Sequence, residues 1–213
     1  MFFVPDWPVI AAFVVAAIIL TITPGPDMTL FLSRAINRGR TAGMVSLAGA
    51  LLGGLVHTLA AAIGVSALIV ASQTGFLILK IVGAGYLAWL AIDAIRNGSA
   101  LNLKPASARP SSMTSVFMTG IGVNLLNPKI VLFFMTFLPQ FVSATDPHAP
   151  AKMIFLGVLF TAIALVICTA MIFTADGVAA SLKKNPKVTR AIDWLFAGVF
   201  GAFAVKILTA QRV

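Results

Sequence analysis

The chain has 213 residues, 60% of them hydrophobic; only 10% are Asp, Glu, Lys or Arg, and Glu is absent. Soluble domains carry roughly a quarter charged residues, so an ordinary water-facing globule is excluded. The net charge of +9 does not point to nucleic acid: the basic residues sit in short segments between long apolar runs, where they orient a membrane protein, and no aromatic-interleaved basic stripe accompanies them.

The first apolar run, Val9 to Ile22, follows Pro5, Trp7 and Pro8. It has no basic start and no small-residue cleavage site before Pro24, so it reads as a retained span and not a cleaved signal. The run is broken by Thr23-Pro24-Gly25-Pro26-Asp27, and helical pattern resumes from Met28 to Ile36 before Asn37-Arg38-Gly39-Arg40. A second span is expected from Ala42 to Ala71, tilted or kinked because it exceeds a bilayer's thickness. Its Gly49 and Gly53 form a Gly-x-x-x-Gly pair suited to close helix packing. A third span is expected over Phe76–Ile95.

The polar stretch Arg96–Ser112 divides the chain. A fourth span, Ser115–Phe137, contains Asn124, Asn127, Pro128 and Lys129; a fifth covers Lys152–Phe173 and a sixth Ala191–Leu208. The expected fold is therefore an all-α integral membrane protein of six transmembrane helices, one transporter domain over residues 1–213. It divides into a first half (1–96), a linker (97–112) and a second half (113–213). Three spans per half make the halves inverted repeats, each with its first helix broken at Pro, the arrangement that marks binding sites in secondary transporters.

The basic segments Arg34–Arg40, Arg96–Ser112 and Asp176–Arg190 fall on one side of such a fold. Positive-inside reasoning places them in the cytoplasm and both termini outside.

The chemistry is concentrated at the breaks. Pro24 and Pro26 lack an N–H and Gly25 admits unusual backbone angles, so the helix must kink and free backbone groups beside Asp27. A carboxylate at this depth needs a partner or water, and Asp27 either exchanges a proton, receives an amino group or caps the resumed helix. Asn124 and Asn127 share a helix face, and their amides suit a zwitterionic solute. Lys129 pairs with Asp27 or a solute carboxylate, or snorkels to the interface. His57, in the middle of the second span, is structural or part of a proton relay. Cys168, the single cysteine, excludes a disulfide framework, and no metal-binding or cofactor motif is present. The small-residue faces allow a homodimer without requiring one.

The run Ile22-Thr23-Pro24-Gly25-Pro26, with Gly39-Arg40, His57, Gly85-Tyr86-Leu87-Ala88-Trp89-Leu90, Asn124-Leu125-Leu126-Asn127-Pro128-Lys129 and Leu138-Pro139-Gln140-Phe141, resembles the lysine exporter/homoserine-threonine resistance family of bacterial amino-acid efflux proteins. The resemblance covers nearly the whole chain. It implies a non-enzymatic exporter of amino acids or close derivatives in the bacterial inner membrane, driven by proton antiport and without cofactor. It leans to the homoserine/threonine branch, since no acidic cluster suits a doubly cationic solute and no Cys/His cluster suits cadmium. Thr23–Asp27, His57, Asn124, Asn127, Pro128 and Lys129 then line the substrate or proton pathway. A passive facilitator would use the same broken helices without coupling.

Overall fold

The computed structural model describes residues 3–65, 112–143, 146–175, 177 and 185–209, and scattered positions between 74 and 96. Among them every regular element is helical. α1 (Trp7–Ile22) ends where Thr23, extended as the residue before a proline must be, leads into Pro24. α2 (Pro26–Arg38) starts with proline at its first position, where a missing N–H costs nothing. Gly39 separates α2 from α3 (Arg40–Ala60) at φ +86°, ψ 162°, a conformation that only glycine adopts without strain. A π-helical turn, Ala61–Val65, extends α3.

α4 (Met113–Leu125) is capped by Ser112, whose Oγ accepts from the Ser115 N–H at 3.2 Å. The chain breaks again before α5 (Pro128–Leu132), which runs on through a π-helical turn, Phe133–Phe137, and a 3₁₀ turn, Leu138–Phe141. α6 (Ala149–Phe173) and α7 (Pro186–Thr209) complete the described elements. α7 begins before the expected Ala191, because Pro186 is an admissible helix start, and Lys187 and Arg190, which read as linker, lie in its first turns.

Arg40–Gly64 and Ala149–Phe173 are each long and apolar enough to cross a membrane. The pairs Trp7–Ile22 with Pro26–Arg38, and Met113–Leu125 with Pro128–Phe141, qualify as broken spans bent by 54° and 53°. The described residues thus hold two to four candidate spans. The third expected span and the linker 97–111 lie largely or wholly outside the described residues.

The distribution of side chains is that of a protein in lipid. Leu52, Val56, Leu59 and Ile63 form an exposed apolar stripe along α3, and Val158, Leu165 and Val166 are exposed on α6. Thr23, Ser46, His57, Thr58, Asn124 and Asn127 are buried. Polar groups are turned inward to find partners that hydrocarbon cannot supply.

α3 is the hub, packed on α2, α4 and α6. A Cβ on Gly49 would collide with the backbone of Phe117, and one on Gly120 with the backbone of Ser46. The two glycines let α3 and α4 touch backbone to backbone. Contact order along both helices (Ser46 and Gly49 with Phe117–Ile121, Gly53 with Asn124) makes them parallel. α6 runs the other way, with Gly157 against Thr58 and Cys168 in one cluster with Leu47. The Arg40 guanidinium lies 5.4 Å from the Phe173 ring centroid, so the starts of α3 and α4 and the end of α6 share one end of the bundle. On the far side of the break an aromatic core forms from Phe13, Phe133, Phe134, Phe137, Phe160 and Phe200, with ring centroids 4.9–6.0 Å apart among neighbours.

Candidate functional site

The two helix breaks meet. Asp27, in the first turn of α2, accepts a hydrogen bond at Oδ2 from Asn124 Nδ2 of α4 at 2.8 Å. Asn127 approaches the same carboxylate, but its Nδ2 makes no hydrogen bond among the described residues. Its Oδ1 is committed to capping α5, accepting from the Lys129 N–H at 3.1 Å. Asp27 Oδ1 and Asn124 Oδ1 are likewise buried without a partner. Two acceptors and one donor thus stand unsatisfied around one point, a costly arrangement and the mark of a place where water or solute binds.

Lys129 does not form an ion pair with Asp27. Its Nζ crosses to the broken end of α1 and donates to the carbonyls of Thr23 at 2.8 Å and Leu20 at 3.3 Å. The last carbonyls of a helix lack intrahelical partners and carry partial negative charge, so an ammonium is well placed there. Gly25 leaves room for the crossing: a Cβ at that position would lie 3.0 Å from Lys129 Nζ and 3.3 Å from its Cε, and the lysine end would have to shift by a few tenths of an ångström. Thr23 turns its hydroxyl back on Ile19 O at 2.6 Å, and its carbonyl, beyond the last helical residue of α1, accepts from Lys129. Pro24 is buried within the break, and Pro26 and Pro128 open α2 and α5.

His57 comes from α3. Its Nε2 is 3.4 Å from the Asn124 carbonyl, a hydrogen bond when Nε2 carries the proton, and its ring stacks on Phe134 at 5.8 Å. Gly53, one turn before His57, faces the Asn124 side chain: a Cβ there would lie 2.6 Å from Oδ1. Gly49 meets the backbone of Phe117, and Gly53 meets the Asn124 side chain.

A cavity of about 60 Å³ adjoins Asp27, Asn124 and Lys129, whereas Asn127 and His57 stand outside its lining. Since roughly 10–15 Å³ of such space holds one water, it takes a few. Thr21, Thr23, Asp27, Asn124, Lys129 and Thr161 furnish its polar side; Leu20, Phe31, Leu47, Leu51, Ile130 and Phe160 its apolar side. Gly54, Ala164 and Cys168 also line it. Cys168 therefore faces the cavity within the bundle, and its thiol is free. Apolar walls with a few convergent polar groups are the usual construction of a small-molecule site. Among the described residues no three His, Cys, Asp or Glu side chains come together to hold a metal.

Sequence reasoning passed over several residues here. Thr161 and Ala164 looked like anonymous positions in an apolar run, and Gly120 and Gly157 carry no paired motif to flag them. Asp193, 1% exposed in α7, was signalled only by an acid within an otherwise apolar stretch. Away from the cavity, at the opposite end of α6, Asp146 pairs with Lys152 and accepts from the His148 N–H at 2.8 Å. The hydrogen bond from Lys152 holds the Asp146 carboxyl below its usual range.

Three relatives are informative. Over 201 residues, covering 94% of this chain and 96% of the relative, it is 31% identical to the homoserine/homoserine lactone efflux protein of Salmonella typhimurium. It is 26% identical to an uncharacterized membrane protein of Vibrio cholerae over 94% of this chain and 96% of that one. It is 24% identical to the leucine efflux protein of Salmonella typhimurium, over 93% and 94%. No solved structure is significantly similar to the chain. The family model described as LysE type translocator matches residues 18–211, a stretch that contains both helix breaks and the whole cavity wall, and the chain belongs to that family of translocators.

Proposed function

We propose that the chain is a secondary transporter that exports small neutral amino acids or their close derivatives across the bacterial cytoplasmic membrane by proton antiport. The observation that carries this reading is the meeting of the two helix breaks: Asp27 held by Asn124 at 2.8 Å, with Asp27 Oδ1 and Asn124 Oδ1 left open where both residues line an apolar-walled cavity. An α-amino acid supplies the complement. Its ammonium donates to the two open oxygens, its carboxylate takes the field of Lys129, and its side chain rests on apolar wall. Efflux proteins for homoserine and leucine among the relatives support the substrate class.

Six spans in two inverted halves fit the near-equal bends of 54° and 53° and the parallel course of α3 and α4, which such a repeat requires of its second and fourth spans. The shared end of the bundle, where Arg40 meets Phe173, adjoins the basic segments; we assign it to the cytoplasm, and both termini to the periplasm. In the cycle, Asp27 takes a proton from outside and releases it inside. His57, linked through the Asn124 carbonyl, lies on the same polar path. Asn124, Asn127 and Lys129 orient the solute.

The test is efflux of labelled amino acids from proteoliposomes with and without an imposed pH gradient. Selective efflux that collapses with the gradient is expected. Asp27→Asn keeps an oxygen for Asn124 and so should fold, but should lose gradient dependence. Efflux indifferent to the gradient would make the protein a facilitator; gradient-coupled efflux by D27N would remove Asp27 from the proton path.

A further inference from the structure

Adjacent glycines on α3 face different surroundings. A Cβ on Gly53 would run into Asn124, whereas a Cβ on Gly54 would meet no atom within 4 Å. Gly54 is nonetheless buried, and it lines the cavity. The open space beside its Cα is therefore cavity and not lipid. Gly49, Gly120 and Gly157 are buried too, but each is filled by an opposing helix, as close packing demands.

A small residue alone indicates only packing. Here the same cavity holds Asn124, 5% exposed, with its Oδ1 unpartnered, and Asp27 with its Oδ1 unpartnered. Its polar groups await a ligand, and the space beside Gly54 continues from them along Leu47, Leu51, Phe160, Ala164 and Cys168. We propose that Gly54 is a specificity-determining residue: it keeps open the wall against which the solute's side chain rests, and so sets the longest side chain the site accepts. The inference rests on the export reading above. It narrows the solute class to amino acids with an uncharged aliphatic side chain of limited length, since among the described residues Asp27 is the only acid lining this cavity and the α-ammonium occupies it.

The experiment uses reconstituted protein and a ladder of labelled unbranched solutes: L-alanine, L-2-aminobutyrate, L-norvaline and L-norleucine. Gly54→Ala adds a methyl that meets nothing and raises helix propensity; Gly54→Val adds more volume. Each step should cut export at the long end of the ladder by about tenfold or more, the usual effect of a methylene in an apolar pocket, with L-alanine held within about threefold. Ala164→Gly, in the α6 wall of the cavity, should extend the ladder toward longer solutes, and it carries the test if Gly54→Val fails to fold. A uniform change along the ladder in G54A and A164G, or no change, overturns the role of Gly54 and leaves export standing. A wild-type protein that moves no member overturns the export reading and this inference with it.

Discussion

Gly53→Ala tests whether the contact between Asn124 and Asp27 matters to transport. The new methyl would lie 2.6 Å from Asn124 Oδ1, 3.0 Å from its Cβ and 3.1 Å from its Cγ, against an optimum of about 3.5–4.0 Å between carbons. Rotating the amide relieves the oxygen but not the Cβ, so α4 must also back away by a few tenths of an ångström. Rotation breaks the 2.8 Å bond to Asp27, and withdrawal of α4 lengthens and weakens it. A hydrogen bond to a charged group is worth about 1.5–3 kcal/mol, and Ala in place of Gly returns about 1 kcal/mol of helix propensity. The net destabilisation is roughly 0.5–2 kcal/mol. At about 1.4 kcal/mol per tenfold, loss of the whole bond from the transport cycle lowers flux by about 10- to 100-fold. The assay is gradient-driven efflux by G53A, N124A and the double variant, each at matched folded yield. If Gly53 acts chiefly through the amide, the double variant matches N124A within about threefold, because the amide that the methyl displaces is then absent and only the Cβ contact remains. Wild-type flux in G53A, or losses that multiply in the double variant, would refute the reasoning and return Gly53 to simple helix packing.

Lys129→Met should leave the Thr23 and Leu20 carbonyls without their donor and destabilise the protein by about 3 kcal/mol, read as a lower unfolding temperature in detergent. Gly49→Val and Gly120→Val each drive a side chain into opposing backbone and should abolish the folded, monodisperse fraction on size-exclusion chromatography, whereas Val at Gly122, where a Cβ meets nothing within 4 Å, should not. The paired Asp146 has its folded pKa below the ordinary 3.8. Its stabilisation is therefore in place above that pH and is lost as pH falls through the folded value. Asp146→Asn should accordingly lower the unfolding temperature slightly at pH 7, and the difference from wild type should vanish in strong acid.

Both helix breaks were legible because proline and glycine act locally: no distant contact can restore the N–H that Pro24, Pro26 and Pro128 lack. Lipid-facing apolar runs and basic segments between them were legible for a similar reason, since the bilayer imposes one rule on every span. What Lys129 holds was not. Charge alone suggested Asp27, but the carbonyls of Leu20 and Thr23 become partners only once α1 stops short and α5 crosses its end. Gly49 and Gly53 looked equivalent by spacing, yet one turn of helix separates a backbone contact from an amide. Gly54 was indistinguishable from a packing glycine, because an empty volume leaves no trace in a residue string. The end of the linker before α7 was placed late, since Lys187 and Arg190 read as loop until Pro186 starts a helix.

Cys168 carries a practical consequence. A transporter with several thiols must be stripped of them before a spectroscopic reporter can be installed at a chosen place. This chain has a single cysteine, and its side chain already stands in the wall of the central cavity. The unaltered protein is thus its own labelling substrate: the rate at which a small alkylating reagent reaches Cys168 measures how often that compartment opens, and a fluorine-bearing tag of modest size would report the exchange between its two faces.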